Sequence, residues 1–207
     1  MNYEEMLEYV KKILEVSNKI KPNNPYHQFR DRFMHTFRVY KWIEKIIGDF
    51  PDCNKDVAYT AAIFHDVGYS VVKEHHEVHS AAIFRRYSEN NGFDEDFINK
   101  TAYVIENHSN KELLEDDSIP AELKLLLEAD LLDEEGALAI TLDLLAKGAK
   151  GIDSYYEAID ALKIHSGHIL NQNFNFSPIA KRYWEEKKEF VRMFMNMLRD
   201  DLFITED

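Results

Sequence analysis

The sequence predicts an all-α protein, a single helical-bundle domain of about eight to ten helices. Glycine and proline are sparse, with 7 and 5 residues among 207, whereas a β-rich chain needs frequent turns. Apolar residues recur every three or four positions along most of the chain, which is the spacing of an amphipathic helix. Asparagine, aspartate or proline stands at the start of several of these segments, where helix caps are expected.

The first two predicted helices cover residues 3–20 and 28–47. One face of the first helix carries the apolar residues Met6, Leu7, Val10, Ile13 and Leu14. The segment KPNNP at 21–25 combines prolines with asparagines and therefore separates the two helices. The second helix carries aromatic residues at helical spacing and ends at Gly48.

The next three helices are bounded by residues that commonly cap helices. Asn54 is a suitable N-cap for a helix that stops near Gly68. The segment VVKEHHE that follows is short and irregular, so we predict a loop there. A helix at 77–90 ends at Asn-Asn-Gly, and the helix at 94–108 begins with an aspartate cap.

Four further helices complete the predicted bundle. The polar segment SNKELLEDDS separates them from the preceding helices. Pro120 occupies a first helical position, where the missing N–H of proline is tolerated, and Gly148 ends a later helix. The predicted ranges are 120–130, 134–147, 153–168 and 178–203.

Charge and composition exclude several classes of partner. The formal net charge is −13, so the surface field repels a long nucleic acid, and we expect no such partner. A small phosphorylated substrate remains compatible, because a metal ion and local basic groups can reverse the potential in a cleft. The single cysteine, Cys53, allows no internal disulfide and favours a reducing, cytoplasmic setting. No run of 18 apolar residues occurs, so we expect no membrane partner.

A His-Asp pair ends an apolar segment, AAIFHDVGY at 61–69. An aspartate in such a place is costly unless a cation holds it, because its charge loses solvation. Other histidines and acids occupy comparable positions: His35 inside a helix, His108 at a helix end, and Asp130 after an apolar run. Imidazole and carboxylate without thiolate suit Mn, Fe, Co, Ni, Zn or Mg, so we predict a divalent metal ion as cofactor.

These residues resemble the HD superfamily of metal-dependent phosphohydrolases. The family carries a histidine, an adjacent His-Asp pair and a distant aspartate on a helical core. The matching segments here are HTFRV, AAIFHDVG and EADLLDEEGA. The resemblance implies that one metal ion is bound by four residues: His35, His65, Asp66 and Asp130.

Further segments resemble the bacterial subgroup of the family that includes nucleotide pyrophosphohydrolases. They are EVHSAAIF, VIENHS and the tail AKRYWEEKKEFVRMFMNMLRDDL. The resemblance therefore covers about 25–205. We predict an N-terminal helical extension at 1–24, followed by the HD-type phosphohydrolase domain at 25–207.

Some HD families hold a second metal ion with two histidines that lie between the pair and the last aspartate, and in others these positions line the substrate pocket. The matching residues here are His79 and His108. Glu77 and Asp133 join them as candidates for a second metal or for the substrate pocket, and the alternative is that the two histidines simply end helices. We leave the other five histidines outside the metal site: His27, His75, His76, His165 and His168.

The catalytic residues expected from this arrangement are Asp66, Arg38 and Lys73. Asp66 could accept a proton from the attacking water as well as bind metal, with Glu77 or Glu106 as competitors for that role. Arg38 lies one helical turn after the first histidine and either contacts substrate or supports a ligand. Lys73 lies in a loop that could close over the pocket. Lys111 is predicted to be a solvated surface charge.

The predicted function is hydrolysis of a small phosphorylated substrate, first of all a nucleotide, by attack of metal-bound water on phosphorus. Pyrophosphohydrolase, phosphatase and phosphodiesterase activities all stay open. The alternative is a catalytically inactive HD-type regulatory module that binds metal and nucleotide. A third reading is a plain helical interaction domain, and a homodimer is left open.

Overall fold

A computed structural model describes residues 1–20, 31–133 and 135–204, and its α-helices confirm the predicted all-α class. The nine helices in these ranges fall within the predicted eight to ten, and the same ranges contain no strand. They are α1 (Tyr3–Ile20), α2 (Arg32–Ile46), α3 (Lys55–Phe64), α4 (His76–Asn90), α5 (Glu95–Asn107), α6 (Ala121–Leu132), α7 (Ala137–Ala149), α8 (Tyr155–Ile164) and α9 (Pro178–Asp201).

Two predicted caps lie at helix starts in the described chain as expected. The Asn54 side chain accepts hydrogen bonds from the backbone of the first turn of α3, and Asp94 accepts one from the Phe97 N–H at 2.9 Å. Pro120, predicted at a first helical position, is the residue directly before α6. The predicted start of the second helix, at residue 28, lies outside the described residues.

The segment after α3 differs from the prediction. The α-helix ends at Phe64, earlier than Gly68, and Val67–Ser70 forms a short 3-10 helix instead. The predicted loop also ends sooner, because α4 begins at His76 directly after His75, which adopts a left-handed conformation with φ 57°. The turn into α4 is therefore tighter than the sequence indicates.

Contacts divide the described chain into two compact units, one with α1–α6 and one with α7–α9. In the first unit α3 is the central helix and packs against α1, α2, α5 and α6. Its side chains from Val57 to Phe64 are buried with the exception of Tyr59, and most of α6 is buried as well. The ends of these two central helices deliver polar groups into a largely apolar unit.

The second unit has its own apolar core. Trp184 and Val191 of α9 are buried with Leu162 of α8 and Ile169 of the following 3-10 helix. His165 and His168 belong to this unit. Among the described helices, none combines the length and apolarity needed to cross a bilayer. The predicted division into 1–24 and 25–207 stays a prediction, because its boundary lies among residues that the structure does not describe.

Candidate metal centre

Five elements of the first unit bring histidines and acids to one place. His35 lies on α2, and the His65-Asp66 pair directly follows α3. His76 is the first residue of α4, and His108 is the C-cap of α5. Near the end of α6 lies a further acid, Asp130. The sequence forms the site by ending buried helices at polar residues, so that the polar groups converge while the apolar segments pack.

The first group of ligand atoms lies around His35. Its Nε2 atom is 3.2 Å from the Nε2 of His65 and 3.2 Å from an Oδ1 of Asp130. The same nitrogen is 3.4 Å from Oδ2 of Asp66. His65 Nε2 is 3.6 Å from Asp66 Oδ1 and 3.9 Å from Asp130 Oδ1. All four residues that the family resemblance implies as ligands thus face one another.

A second group shares Asp66 with the first. Its Oδ1 atom is 3.1 Å from Nε2 of His76 and 3.4 Å from Nε2 of His108. The two histidine nitrogens are 3.2 Å apart. Asp66 therefore joins the two groups, with Oδ2 toward His35 and Oδ1 toward the other histidines.

The Nδ1 atoms, which point away from the cluster, make the contacts that orient these histidines. His65 Nδ1 is 2.8 Å from the carbonyl of Ala62, and His108 Nδ1 is 2.7 Å from the carbonyl of Ile105. A carbonyl only accepts, so each Nδ1 carries the proton and each Nε2 presents a lone pair to the cluster. His35 Nδ1 contacts a carboxylate oxygen of Asp133 at 2.8 Å, the usual partner of a metal-binding imidazole.

The donor set fits a divalent ion. Three triplets of ligand atoms each lie within 4.8 Å of one another: His35, His65 and Asp66; His65, His108 and Asp130; Asp66, His76 and His108. Lone pairs and carboxylate oxygens at this spacing repel one another unless a positive charge lies among them, which protonated His35 or a bound divalent ion supplies. Nitrogen and oxygen donors without thiolate suit the first-row divalent ions and magnesium.

Each acid of the cluster also has a basic partner. Arg32 Nη1 donates to Asp66 Oδ2 at 2.9 Å, and Lys111 donates to Asp130 Oδ2. The Arg38 guanidinium donates one hydrogen bond to each oxygen of Asp133, at 2.7 and 2.8 Å. The three acids and these three bases balance, so a divalent ion bound in place of the proton on His35 would leave the cluster positive although the chain is negative. A positive cluster attracts an anionic ligand.

The pKa values of the cluster follow from burial and these pairs. Burial would lower the pKa of His35, but its bonds to Asp130 and Asp133 and the charge of Asp66 raise it to about 10. Burial lowers the pKa of His65 to about 4. Burial acts to raise the pKa of Asp66 and Asp130, but neighbouring histidines, and Lys111 for Asp130, hold both well below the usual range. Both acids are therefore carboxylates, the form that binds metal.

Other predicted site residues lie around the cluster. Asp133 contacts His35 and Arg38. Glu77 contacts His76 Nδ1 at 3.4 Å. His79 is half-buried on α4, and the described metal-capable groups do not include it. Lys73 is exposed. The candidate base Glu106 is exposed as well.

Two expectations about individual residues are wrong. His76, left outside the site, lies within it, because the tight turn after the 3-10 helix aims the first residue of α4 at Asp66. Lys111, expected to be solvated, pairs with Asp130 and also donates to the His108 carbonyl at 2.8 Å. Arg32 was missed altogether, although it lies one helical turn before His35, the same spacing that singled out Arg38.

Comparison with known proteins identifies the family. A family model described as HD domain matches residues 32–135, half of the chain, and the chain therefore belongs to the HD domain family. The match contains every residue of the cluster described above, from Arg32 to Asp133. No curated protein matches the chain.

Solved structures share the fold over nearly the whole length. An HD-superfamily hydrolase from Bacillus thuringiensis has a TM-score of 0.69 at 20% identity, covering 98% of this chain and 97% of that chain. A predicted HD superfamily hydrolase from an uncultured Thermotogales bacterium has a TM-score of 0.63 at 21% identity, covering 98% and 99%. Bacillus subtilis YpgQ in complex with ADP has a TM-score of 0.63 at 17% identity, covering 97% of both chains.

Proposed function

We propose that this protein is a divalent-metal-dependent phosphohydrolase that acts on a small phosphorylated substrate. One observation carries the proposal: Nε2 of His35 and His65 and carboxylate oxygens of Asp66 and Asp130 face one another in a buried cluster. The bound ion would supply an acidified water and a positive charge for phosphoryl oxygens. Membership of the HD domain family supports this reaction class.

The residues around the ligands divide into two roles in this proposal. Arg38 supports the first ligand, because both Asp133 oxygens lie within hydrogen-bond distance of its guanidinium and Asp133 in turn holds His35. Lys73 follows the His-Asp pair in the chain, and its side chain is exposed. It therefore stays our candidate for the residue that binds a substrate phosphate. Asp66 stays the proposed proton acceptor, and Glu77 is the alternative because it contacts His76.

A nucleotide is the first substrate class to test. Bacillus subtilis YpgQ, which shares the fold, was solved in complex with ADP. The positive charge that a bound ion would give the cluster suits the polyphosphate of such a ligand. The second group of ligand atoms, at His76 and His108, would allow a second ion beside the first.

The test is product analysis with purified, chelator-treated protein, Mn²⁺ and a panel of nucleotides. We expect metal-dependent release of phosphate, pyrophosphate or monophosphate, which Asp66→Asn abolishes, and the product identifies the bond that is cut. His165→Ala is the matched control, because His165 is exposed in the other unit and should retain full activity. Release that persists in Asp66→Asn would contradict the assignment of the site.

A regulatory module that binds metal and nucleotide without turnover is the second candidate. All four ligands of the first group are present and oriented, which an inactive module does not require. Nucleotide binding by calorimetry without any product would favour the module. A helical interaction domain would show neither metal binding nor nucleotide binding.

A further inference from the structure

Tyr69 lies between two of the groups that contact Asp66. The guanidinium of Arg32 is 3.9 Å from the centre of the Tyr69 ring. The ring of His76 stacks on Tyr69 with centroids 4.0 Å apart and planes at 25°. Two groups this close to one ring centre cannot share a face without overlapping, so they occupy opposite faces. Both contacts are favourable, one as a cation over an aromatic face and one as a stacked pair.

The same two groups hold the two oxygens of Asp66. Arg32 Nη1 donates to Oδ2 at 2.9 Å, and His76 Nε2 lies 3.1 Å from Oδ1. The four side chains therefore form a closed ring: the carboxylate separates Arg32 and His76 on one side, and the phenol separates them on the other. Movement of either partner away from Tyr69 changes its contact with Asp66.

The backbone around Tyr69 brings these four side chains together. Tyr69 lies on the 3-10 helix Val67–Ser70, whose Gly68 N–H donates to the Ser80 hydroxyl of α4 at 2.8 Å. A Cβ at Gly68 would lie 2.6 Å from the Ser80 nitrogen and would overlap the His76 carbonyl, so only glycine allows this approach. The left-handed His75 then turns the chain so that His76 meets the Tyr69 ring.

We propose that Tyr69 is a positioning residue, whose two ring faces keep Arg32 and His76 on opposite oxygens of Asp66. It thereby sets the affinity of the cluster for divalent ions and the occupancy of the second group of ligands. The proposal rests on the metal centre of the proposed function. Residues that orient metal ligands commonly change metal affinity by about 10–100-fold when they are replaced.

The first experiment measures Mn²⁺ binding by titration calorimetry on the chelator-treated full chain. Tyr69→Phe keeps both ring faces and should bind within about twofold of the wild type, whereas Tyr69→Leu should bind about tenfold or more weakly. Tyr103→Leu is the matched control, because Tyr103 is 44% exposed on α5 and should bind as the wild type does. Equal affinities for Tyr69→Leu and wild type overturn the proposal, as does a Phe variant as weak as the Leu variant.

Double-mutant cycles test whether Tyr69 acts through its two neighbours. Tyr69→Leu should add less to the loss of Mn²⁺ affinity in a His76→Gln or an Arg32→Met background than it causes in the wild type, because one of the two residues it positions is already gone. Fully additive losses in both cycles would show that Tyr69 acts independently and would overturn the proposal.

A measurement on the wild type covers the case in which Tyr69→Leu does not fold. Ring protons of His76 should resonate upfield of those of the exposed His75, because they lie over the Tyr69 face. Unshifted His76 protons overturn the proposal. If the protein turns over nucleotides but Mn²⁺ affinity is the same in the wild type, Tyr69→Phe and Tyr69→Leu, only the role of Tyr69 is refuted. If the affinities differ as expected but no nucleotide is hydrolysed, only the phosphohydrolase proposal is refuted.

Discussion

Asp66 is the residue on which the candidate metal centre depends, because both of its oxygens have assigned neighbours. One oxygen faces Arg32 and His35, and the other faces His76 and His108. A buried carboxylate is unfavourable without partners, and here the partners keep its pKa low. These cationic and imidazole groups explain how Asp66 can be buried at the end of an apolar helix.

Lys111 should stabilise the metal-free protein by neutralising Asp130. Lys111→Met removes the ammonium and leaves an oxygen of a largely buried carboxylate without its partner. We expect the free energy of unfolding without metal to fall by about 1–3 kcal/mol. Denaturant titration of the chelator-treated protein measures this change.

Lys100→Met is the control for the Lys111 variant. Lys100 pairs with Asp96 on the surface, with side chains 60% and 73% exposed, so its loss should leave the unfolding midpoint unchanged. Equal midpoints for both variants would show that the Lys111–Asp130 pair contributes no stability.

The thiol of Cys53 should resist alkylation in the folded protein. Burial is the main cause that raises its pKa to about 12, and the side chain is nearly enclosed. A raised thiol pKa leaves little thiolate below pH 9, and the thiolate is the reactive form. Mass spectrometry after iodoacetamide treatment at pH 8 should show slow labelling that becomes rapid in denaturant. Rapid labelling without denaturant would contradict the buried position.

At the scale of elements, the short 3-10 helix after α3 determines the shape of the site. It replaces the last turn of the predicted third helix and begins directly after the His65-Asp66 pair, where the Asp66 backbone (φ −107°, ψ 1°) has left α-helical geometry. Neighbouring residues on a regular helix point about 100° apart. The hydrogen bond from the Gly68 N–H to Ser80 of α4 holds this element in place.

Gly68→Ala should therefore destabilise the protein, because the new methyl group would meet backbone atoms of His76 and Ser80. We expect a loss of at least about 2 kcal/mol in the free energy of unfolding, as for overpacked cores. Gly148→Ala is the matched control: it lies within α7 with open space around its Cβ position, and it should gain up to about 1 kcal/mol. Thermal unfolding of both variants measures the two changes in stability. If Gly68→Ala is no less stable than Gly148→Ala, the close approach of Gly68 to α4 is refuted.

At the scale of the whole molecule, a strongly acidic chain contains one cluster that a divalent ion would make positive. The net charge is −13, yet the three acids of the cluster are matched by Arg32, Arg38 and Lys111. The negative average field discourages polymeric anions, while the local field admits a small one.

Metal binding should raise the melting temperature of the chelator-treated protein. Mn²⁺ at 100 times its dissociation constant adds about 2.7 kcal/mol, which corresponds to roughly 5–10 °C for a chain of this size. His35→Gln should remove most of this increase, and His165→Gln, outside the cluster, should retain it. An increase of the same size in His35→Gln would place the ion elsewhere.

Much of the element structure follows from local sequence. Asn54 and Asp94 cap helices where expected, because a cap depends only on residues within one turn. Helix ends were less accurate: the third helix stops at Phe64 because Gly68 meets a residue twelve positions later, a contact that local spacing does not reveal.

The sequence by itself determined the all-α class, because helical period is a local property, and the resemblance of its motifs to the HD superfamily indicated the four expected ligands and their order. Only the tertiary structure decided which further groups join them. It brought in His76, Arg32 and Lys111 and left His79 outside the metal-capable groups of the described chain, since these outcomes depend on the turn into α4 and on packing between helices distant in sequence. Side-chain direction at a helix end depends on the neighbouring backbone, and the spacing of residues along the chain does not contain it.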